Sequence, residues 1–171
     1  MNNNRFHEYT ELLSQYWHKP RKALTIVINA LKNNPRSAEL WNIRGDIISM
    51  LLFNQRTNEI LLSSGVKYTR KDVLNCYRKA LELNPKYATA YESIGYYHDV
   101  ITNCLRYAEP AFRKAILYGA GIDSYIGLAR VLAQQNRTID ALTILKKYKY
   151  PKDSKIITMK SEIINGYWGE I

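Results

Sequence analysis

The sequence predicts an all-α repeat protein, and three observations carry that prediction. Four stretches close in the same way: VINALKNNP (Val27 to Pro35), CYRKALELNP (Cys76 to Pro85), AFRKAILYGA (Ala111 to Ala120) and LTILKKYKYP (Leu142 to Pro151). Recurrence of this kind marks a repeat architecture. Ahead of the later three lies a second recurring block: Trp41-x-x-Arg44-Gly45-x-x-Ile48, Tyr91-x-x-Ile94-Gly95-x-x-His98 and Tyr125-x-x-Leu128-Ala129-x-x-Leu132. No segment sustains an alternation of period two, so no sheet is expected.

Together the two blocks resemble the tetratricopeptide repeat (TPR), a 34-residue helix-turn-helix unit with a W-x2-L-G-x2-Y first helix and an A-x3-F-x2-A second helix closed by proline. The resemblance runs from about His7 to Pro151. It implies a right-handed solenoid of about four TPR-like helix hairpins with a C-terminal capping helix, the whole chain 1–171 forming one domain. The pattern also has a physical reading of its own. Gly45, Gly95 and Ala129 must be small because a facing helix crosses closely there, while Trp41, Tyr91 and Tyr125 fill the space between units. Asn34-Pro35 and Asn84-Pro85 stop second helices, because proline has no N–H to donate and pushes the preceding residue out of the helical region.

The first hairpin, about 5–34, uses Ala23, Val27, Ala30 and Pro35 in the expected places. Its leading helix, around Phe6 to Tyr16, carries His7, Thr10 and Glu11 where large, large and small residues belong, and reads as an atypical end cap. The second hairpin, about 37–84, pairs Ala38 to about Phe53 with Lys71 to Leu83. Trp41 and Tyr91 stand 50 residues apart, well beyond one 34-residue period, so the hairpin holds an insertion at 49–72. The apolar content there (Leu51, Leu52, Phe53, Ile60, Leu61, Leu62) favours lengthened helices turning at Ser63-Ser64-Gly65. Thr69 and Asp72 resemble a capping box that opens the return helix.

The third hairpin, about 88–119, restores the period, with Tyr91 and Tyr125 34 residues apart. Pro110 is its irregularity: a proline inside a helix costs about 3 kcal/mol, so the helix is expected to start late enough to put Pro110 in its first turn. Gly119-Ala120-Gly121 replaces the terminating proline. The fourth hairpin, about 122–150, turns near Asn136, and Asp153 or Ser154 caps a last helix, about 153–165, ended by Gly166.

Composition narrows the function. At 171 residues, 46% hydrophobic, the chain can bury a core. Its start, Met1 to Arg5, lacks the apolar run of a signal peptide, and no stretch approaches the roughly 18 apolar residues of a spanning helix. A cytoplasmic location with no membrane partner is therefore expected. Cys76 and Cys104 have no metal-ligand or disulfide spacing and read as packing residues. His7, His18 and His98 are scattered, and no nucleophile elbow, phosphate loop or calcium loop occurs. No enzyme, cofactor or metal is expected, only a binder.

The family resemblance implies that leading helices line a concave face. On the second hairpin its ligand-facing positions fall on Glu39, Asn42, Asp46, Ser49 and Met50; on the third, on Thr89, Glu92, Tyr96, Asp99 and Val100. The fourth contributes Asp123, Ile126, Arg130, Ala133 and Gln134, and the first Arg5, Glu8, Leu12, Gln15 and Tyr16. Acids outnumber bases here six to two, although the chain carries 15 acidic and 25 basic residues and a net charge of +10. Such a wall would favour a basic segment. Acids are favourable in any first helical turn, which accounts for Glu39 and Asp123 without a ligand and leaves Asp46, Glu92 and Asp99 as the informative three. Family members that clamp a carboxylate tail use Lys and Asn or Arg at places held here by Asn42, Asp46 and Glu92, so that mode is disfavoured.

The positive charge lies outside this face, densest at Lys146, Lys147, Lys149 and Lys152 with Tyr148 and Tyr150 between them. Basic residues among aromatics can neutralise phosphates and stack on unpaired bases; they also form ordinary solvated faces and complement a helix C-terminus. The leading expectation is a protein-interaction module, whether adaptor, secretion chaperone or immunity protein, that takes a partner segment through Glu39, Asn42, Asp46, Met50, Glu92, Tyr96, Asp99 and Arg130. The alternative is a nucleic-acid-associated protein using its basic surface. Self-association through Leu51, Leu52, Phe53 and Leu61 is a third possibility.

Overall fold

The computed structural model describes residues 18–62 and 65–168. The expected leading helix of the first hairpin, with Arg5, Glu8, Leu12, Gln15 and Tyr16, lies outside the described residues, as do Ser63 and Ser64 of the expected turn. The chain divides into two compact units, residues 1–86 and 87–171. Among the described residues no helix is long and apolar enough to cross a membrane.

In the first unit, α1 (Pro20–Asn33) packs on α2 (Ala38–Asn54), and α2 on α3 (Arg70–Leu83). Proline opens α1, where its missing N–H costs nothing. Ser37 caps α2, its side chain accepting from the Leu40 N–H. Ala23, Leu24 and Val27 of α1, Ile47, Ile48 and Leu51 of α2, and Val73 and Tyr77 of α3 are almost wholly buried. At Gly45, α2 and α3 approach closely: a Cβ there would sit 2.5 Å from the Tyr77 ring.

The insertion departs from expectation. Lengthened helices do not form; Glu59–Leu61 (β1) pairs antiparallel with Lys67–Thr69 (β2), Ile60 opposite Tyr68. The polar run Asn54-Gln55-Arg56-Thr57-Asn58 stops α2, with Arg56 in the left-handed region at φ 49°. Beyond it Ile60 and Tyr68 turn inward while Glu59, Leu61 and Lys67 face water. An alternation only three residues long is too short to register as a strand, which is why the absence of sheet was wrongly expected here. Leu51 and Leu52 join the core, whereas Phe53 and Leu61 are exposed. Asp72 Oδ2 accepts from both the Thr69 N–H (2.7 Å) and the Thr69 hydroxyl (2.8 Å), fixing the start of α3.

Cys76 of α3 is buried, and burial pushes its thiol up to about 11. The thiolate is the reactive form, so Cys76 in the folded protein is expected to stay unmodified by a disulfide reagent at pH 8 and to react once denaturant is added. Rapid native labelling of Cys76, mapped by mass spectrometry, would contradict its burial.

In the second unit, α4 (Ala88–Tyr96) runs into a π-helical turn, Tyr97–Ile101, and packs on α5 (Leu105–Leu117). Next come α6 (Ile122–Gln134), α7 (Thr138–Lys147) and α8 (Ser154–Ile164), each packed on its predecessor, with α8 also against α6. Phe112, Leu128, Leu132, Leu145 and Ile156 centre the core. Asn136 (φ 59°) turns α6 into α7, and Asp153 caps α8 by accepting from the Lys155 N–H. Pro110 does not sit in a first turn: α5 begins at Leu105 and carries the proline inside it. Pro110 and Arg106, whose carbonyl loses its helical donor, are both exposed, which lowers the cost of the missing hydrogen bond relative to a buried place.

Candidate functional site on the leading helices

The polar residues expected to face a ligand are largely spent on holding helices together. In the first unit Asn42 is only 1% exposed; its Nδ2 donates to Asp46 Oδ2 at 2.9 Å, and the Tyr77 hydroxyl of α3 donates to Asp46 Oδ1 at 2.9 Å. Asp46 thereby ties α2 to α3. Glu39 and Met50 are half-buried, and burial raises the Glu39 carboxyl above its ordinary value. Arg44, in the slot where the repeat pattern has a leucine, reaches the insertion instead: its guanidinium lies 5.1 Å from the Trp41 ring and 5.4 Å from the Tyr68 ring, and Nη2 donates to the Tyr68 hydroxyl. Stacked guanidinium suits such a place better than a second apolar chain because its stem packs while its head keeps a partner.

In the second unit Glu92, Tyr96 and Asp99 lie on α4 and its π turn, opposite Ser124, Arg130 and Gln134 of α6. The Ser124 hydroxyl donates to Glu92 Oε2 at 2.5 Å. Tyr96 lays its ring edge-on against Phe112, centroids 5.0 Å apart, and donates its hydroxyl to the Asp123 carbonyl at 2.8 Å. Asp99, 6% exposed, accepts from Arg130 Nε at 2.8 Å, from Arg130 Nη2, and from Gln134 Nε2 at 3.1 Å. Asp123 is paired with Lys155 at 3.0 Å. Of the expected acidic wall, then, Asp99 and Asp123 already hold cations of their own chain.

Sequence reasoning missed Trp168. Gly166 (φ 76°) reverses the chain after α8, and the Trp168 indole N–H then donates to Glu162 Oε2 at 2.8 Å. Its ring lies 5.4 Å from the Arg130 guanidinium, which has the Tyr96 ring at 5.6 Å. The available signal was an aromatic pair directly after a helix-ending glycine.

Burial lifts the Glu92 carboxyl above its ordinary value of 4.5, with the Ser124 hydroxyl opposing and Asp123 adding. Burial likewise pushes the Tyr96 phenol well above its usual range, with Glu92 adding. Because folded Glu92 holds its proton more tightly than the unfolded chain does, stability falls as pH rises from about 4.5 through the raised value and stays lowered above it. Glu92→Gln is therefore expected to unfold at a higher temperature than wild type at pH 7 and to lose that advantage at pH 4, as followed by circular dichroism; a lower melting point at both pH values would contradict it.

Among the described residues no group of three His, Cys, Asp or Glu side chains could hold a metal ion. His98 is half-buried between the Tyr97 and Tyr107 rings, and burial lowers its pKa. Lys146, Lys147, Lys149 and Lys152 are all exposed.

Solved structures place this geometry. The chain matches PilW, a widely conserved type IV pilus biogenesis factor, with a TM-score of 0.69 over 97% of this chain and 77% of that one, at 17% identity. It matches TTC0263, a thermophilic TPR protein of Thermus thermophilus, with a TM-score of 0.66 over 90% of this chain and 75% of that one, at 15% identity. The fold is TPR-like. No family model and no curated protein matches the sequence. At such identities the likeness is one of fold, which agrees with the TPR-like hairpins: Gly45 against Tyr77 and Gly95 against Phe112 are the close crossings that the repeat pattern requires. Tyr91 packs on Tyr118 (5.5 Å) and Tyr125 on Tyr148 (5.1 Å), each against the end of its own hairpin's second helix.

Proposed function

We propose that the protein is a non-enzymatic protein-interaction module, an adaptor, chaperone or immunity-type binder, whose leading helices hold a segment of a partner protein. What supports this is the preorganised polar surface of the second unit: Glu92 is anchored from behind by Ser124, Tyr96 by Asp123 and Phe112, and Arg130 by Asp99, which Gln134 holds in turn. A surface already ordered pays little side-chain entropy on binding. The partner segment is cationic: Glu92 on α4 is a half-buried carboxyl whose charged form burial disfavours, and an incoming ammonium or guanidinium restores charge stabilisation that desolvation removes. Asp99 acts as a strut behind that face.

The test is affinity capture with mass spectrometry, comparing wild type with Glu92→Lys after circular dichroism has matched their folds. A protein retained by wild type and lost from the variant, and recovered as a purified binary complex, carries the reading. The same proteins retained by both would remove the leading-helix face from consideration.

A further inference from the structure

We propose that the turn between α7 and α8, together with the last turn of α7, is a binding surface for single-stranded nucleic acid. The basic runs of the sequence are not equivalent once folded. Lys67 is held by Glu59 at 2.5 Å, Lys79 by Glu82 at 2.9 Å and Arg113 by Glu109 at 2.8 Å. The run at the end of α7 has no such partner: from Ala141 to Lys152 the chain holds no acid, and among the described residues Lys146, Lys147, Lys149 and Lys152 form no ion pair. The flanking acids are occupied elsewhere, Asp140 by Arg137 at 2.9 Å and Asp153 by the start of α8. Folding adds a fifth cation that the sequence does not place here, since Lys160 of α8 reaches back to the Pro151 carbonyl at 3.5 Å.

The helix dipole accounts for Lys146 and Lys147 in the final turn of α7. It does not account for Lys149, Lys152 and Lys160, which lie beyond that helix. Running through the lysines is a line of rings: Tyr125 and Tyr148 are 5.1 Å apart, Tyr148 and Tyr150 5.9 Å, and Tyr150 is 60% exposed. Lys149 Nζ lies 4.9 Å from the Tyr150 ring, so a base stacked at that tyrosine brings its phosphate within reach of a cation. Cations alone suit any polyanion, but an exposed ring among them specifically suits an unpaired base, whose face a duplex keeps covered. This favours a single strand over an acidic protein or an anionic membrane. The surface lies in the second unit alone and does not depend on the leading helices.

The experiment is fluorescence anisotropy of the full chain with a labelled 20-nucleotide thymidine strand. Four phosphate contacts at about −0.7 each give a log–log salt slope near −3, or about 50-fold weaker binding between 50 and 200 mM salt. Lys146→Glu/Lys147→Glu/Lys149→Glu is expected to weaken binding by more than about 30-fold, and Tyr150→Ala by about five-fold or more, against no change for a duplex of equal length. Lys86→Glu, an exposed lysine of the other unit, serves as control and should leave affinity within about two-fold. Absence of binding to the strand, equal binding by wild type and the triple variant, or a Tyr150→Ala effect no larger on the strand than on the duplex each overturns the proposal. Binding of polyglutamate or phosphatidylserine vesicles in place of the strand reassigns the surface to an acidic protein or a membrane and overturns it too.

Discussion

Replacing Phe112 with alanine is expected to cost about 4 kcal/mol, enough to unfold much of a marginally stable unit. Phe112 is fully buried and has a glycine on either side: a Cβ at Gly95 would lie 2.7 Å from its ring and one at Gly127 2.4 Å. The ring thus joins α4, α5 and α6 at one point, and its removal leaves a void that two glycine backbones cannot fill. The same geometry predicts a reversal of sign. In wild type, Gly95→Ala forces the Phe112 ring or a helix to move and destabilises the protein. In the Phe112→Ala background the clash is gone, and alanine improves on a mid-helix glycine by up to about 1 kcal/mol. Urea unfolding of the two single variants and the double gives the coupling directly. Additive effects, with Gly95→Ala costing the same in both backgrounds, would show that the glycine is not there for the ring.

The column containing Gly45 and Gly95 was legible because a helix crossing needs a small residue every period, and periodic demands leave periodic traces. Gly127 was not, because it falls outside that period and its small size answers to Phe112 of the preceding hairpin. The insertion was misread for a related reason. Ile60, Leu61 and Leu62 look alike in a sequence, yet Ile60 is buried and Leu61 exposed, a difference set by Tyr68 across a strand pair. Pro110 was expected in a first turn because the general cost of a proline inside a helix was applied to it, whereas α5 begins at Leu105 and carries Pro110 on an exposed side.

The polar residues of the leading helices were found, but their task was not. A sequence displays Asp46, Glu92 and Asp99 as unpaired charges; the fold supplies Asp46 with Tyr77 on the return helix of the same hairpin, and Glu92 and Asp99 with Ser124 and Arg130 one repeat further on, at separations of 32 and 31 residues. In a stacked repeat, residues that far apart are neighbours by construction. A search for complementary side chains one period away would have found Arg130 for Asp99 and Ser124 for Glu92, and a neutral hydroxyl, unlike a guanidinium, leaves Glu92 with charge stabilisation still to gain from a partner.

Asp99→Ala is expected to destabilise the second unit by about 3 kcal/mol, because it strands the Arg130 guanidinium between Tyr96 and Trp168 with its counter-ion gone. Arg130→Ala should cost about as much, since Asp99 has a side chain only 3% exposed and would retain Gln134 alone as an observed donor among these contacts. Arg130→Lys rescues little: an ammonium cannot make the paired Nε and Nη2 contacts or stack on two rings. The informative variant is Asp99→Leu/Arg130→Met, which removes both charges and fills the space; burying an ion pair carries a desolvation cost of several kcal/mol per ion, so most of the lost stability should return. Urea unfolding at low salt and at about 0.5 M salt separates this pair from an exposed one such as Lys155 with Asp123, because screening hardly reaches a buried contact. If Asp99→Ala costs under about 1 kcal/mol, or its cost vanishes at high salt, then Asp99 is not a strut, and its carboxylate returns to the face on which a cationic partner would dock.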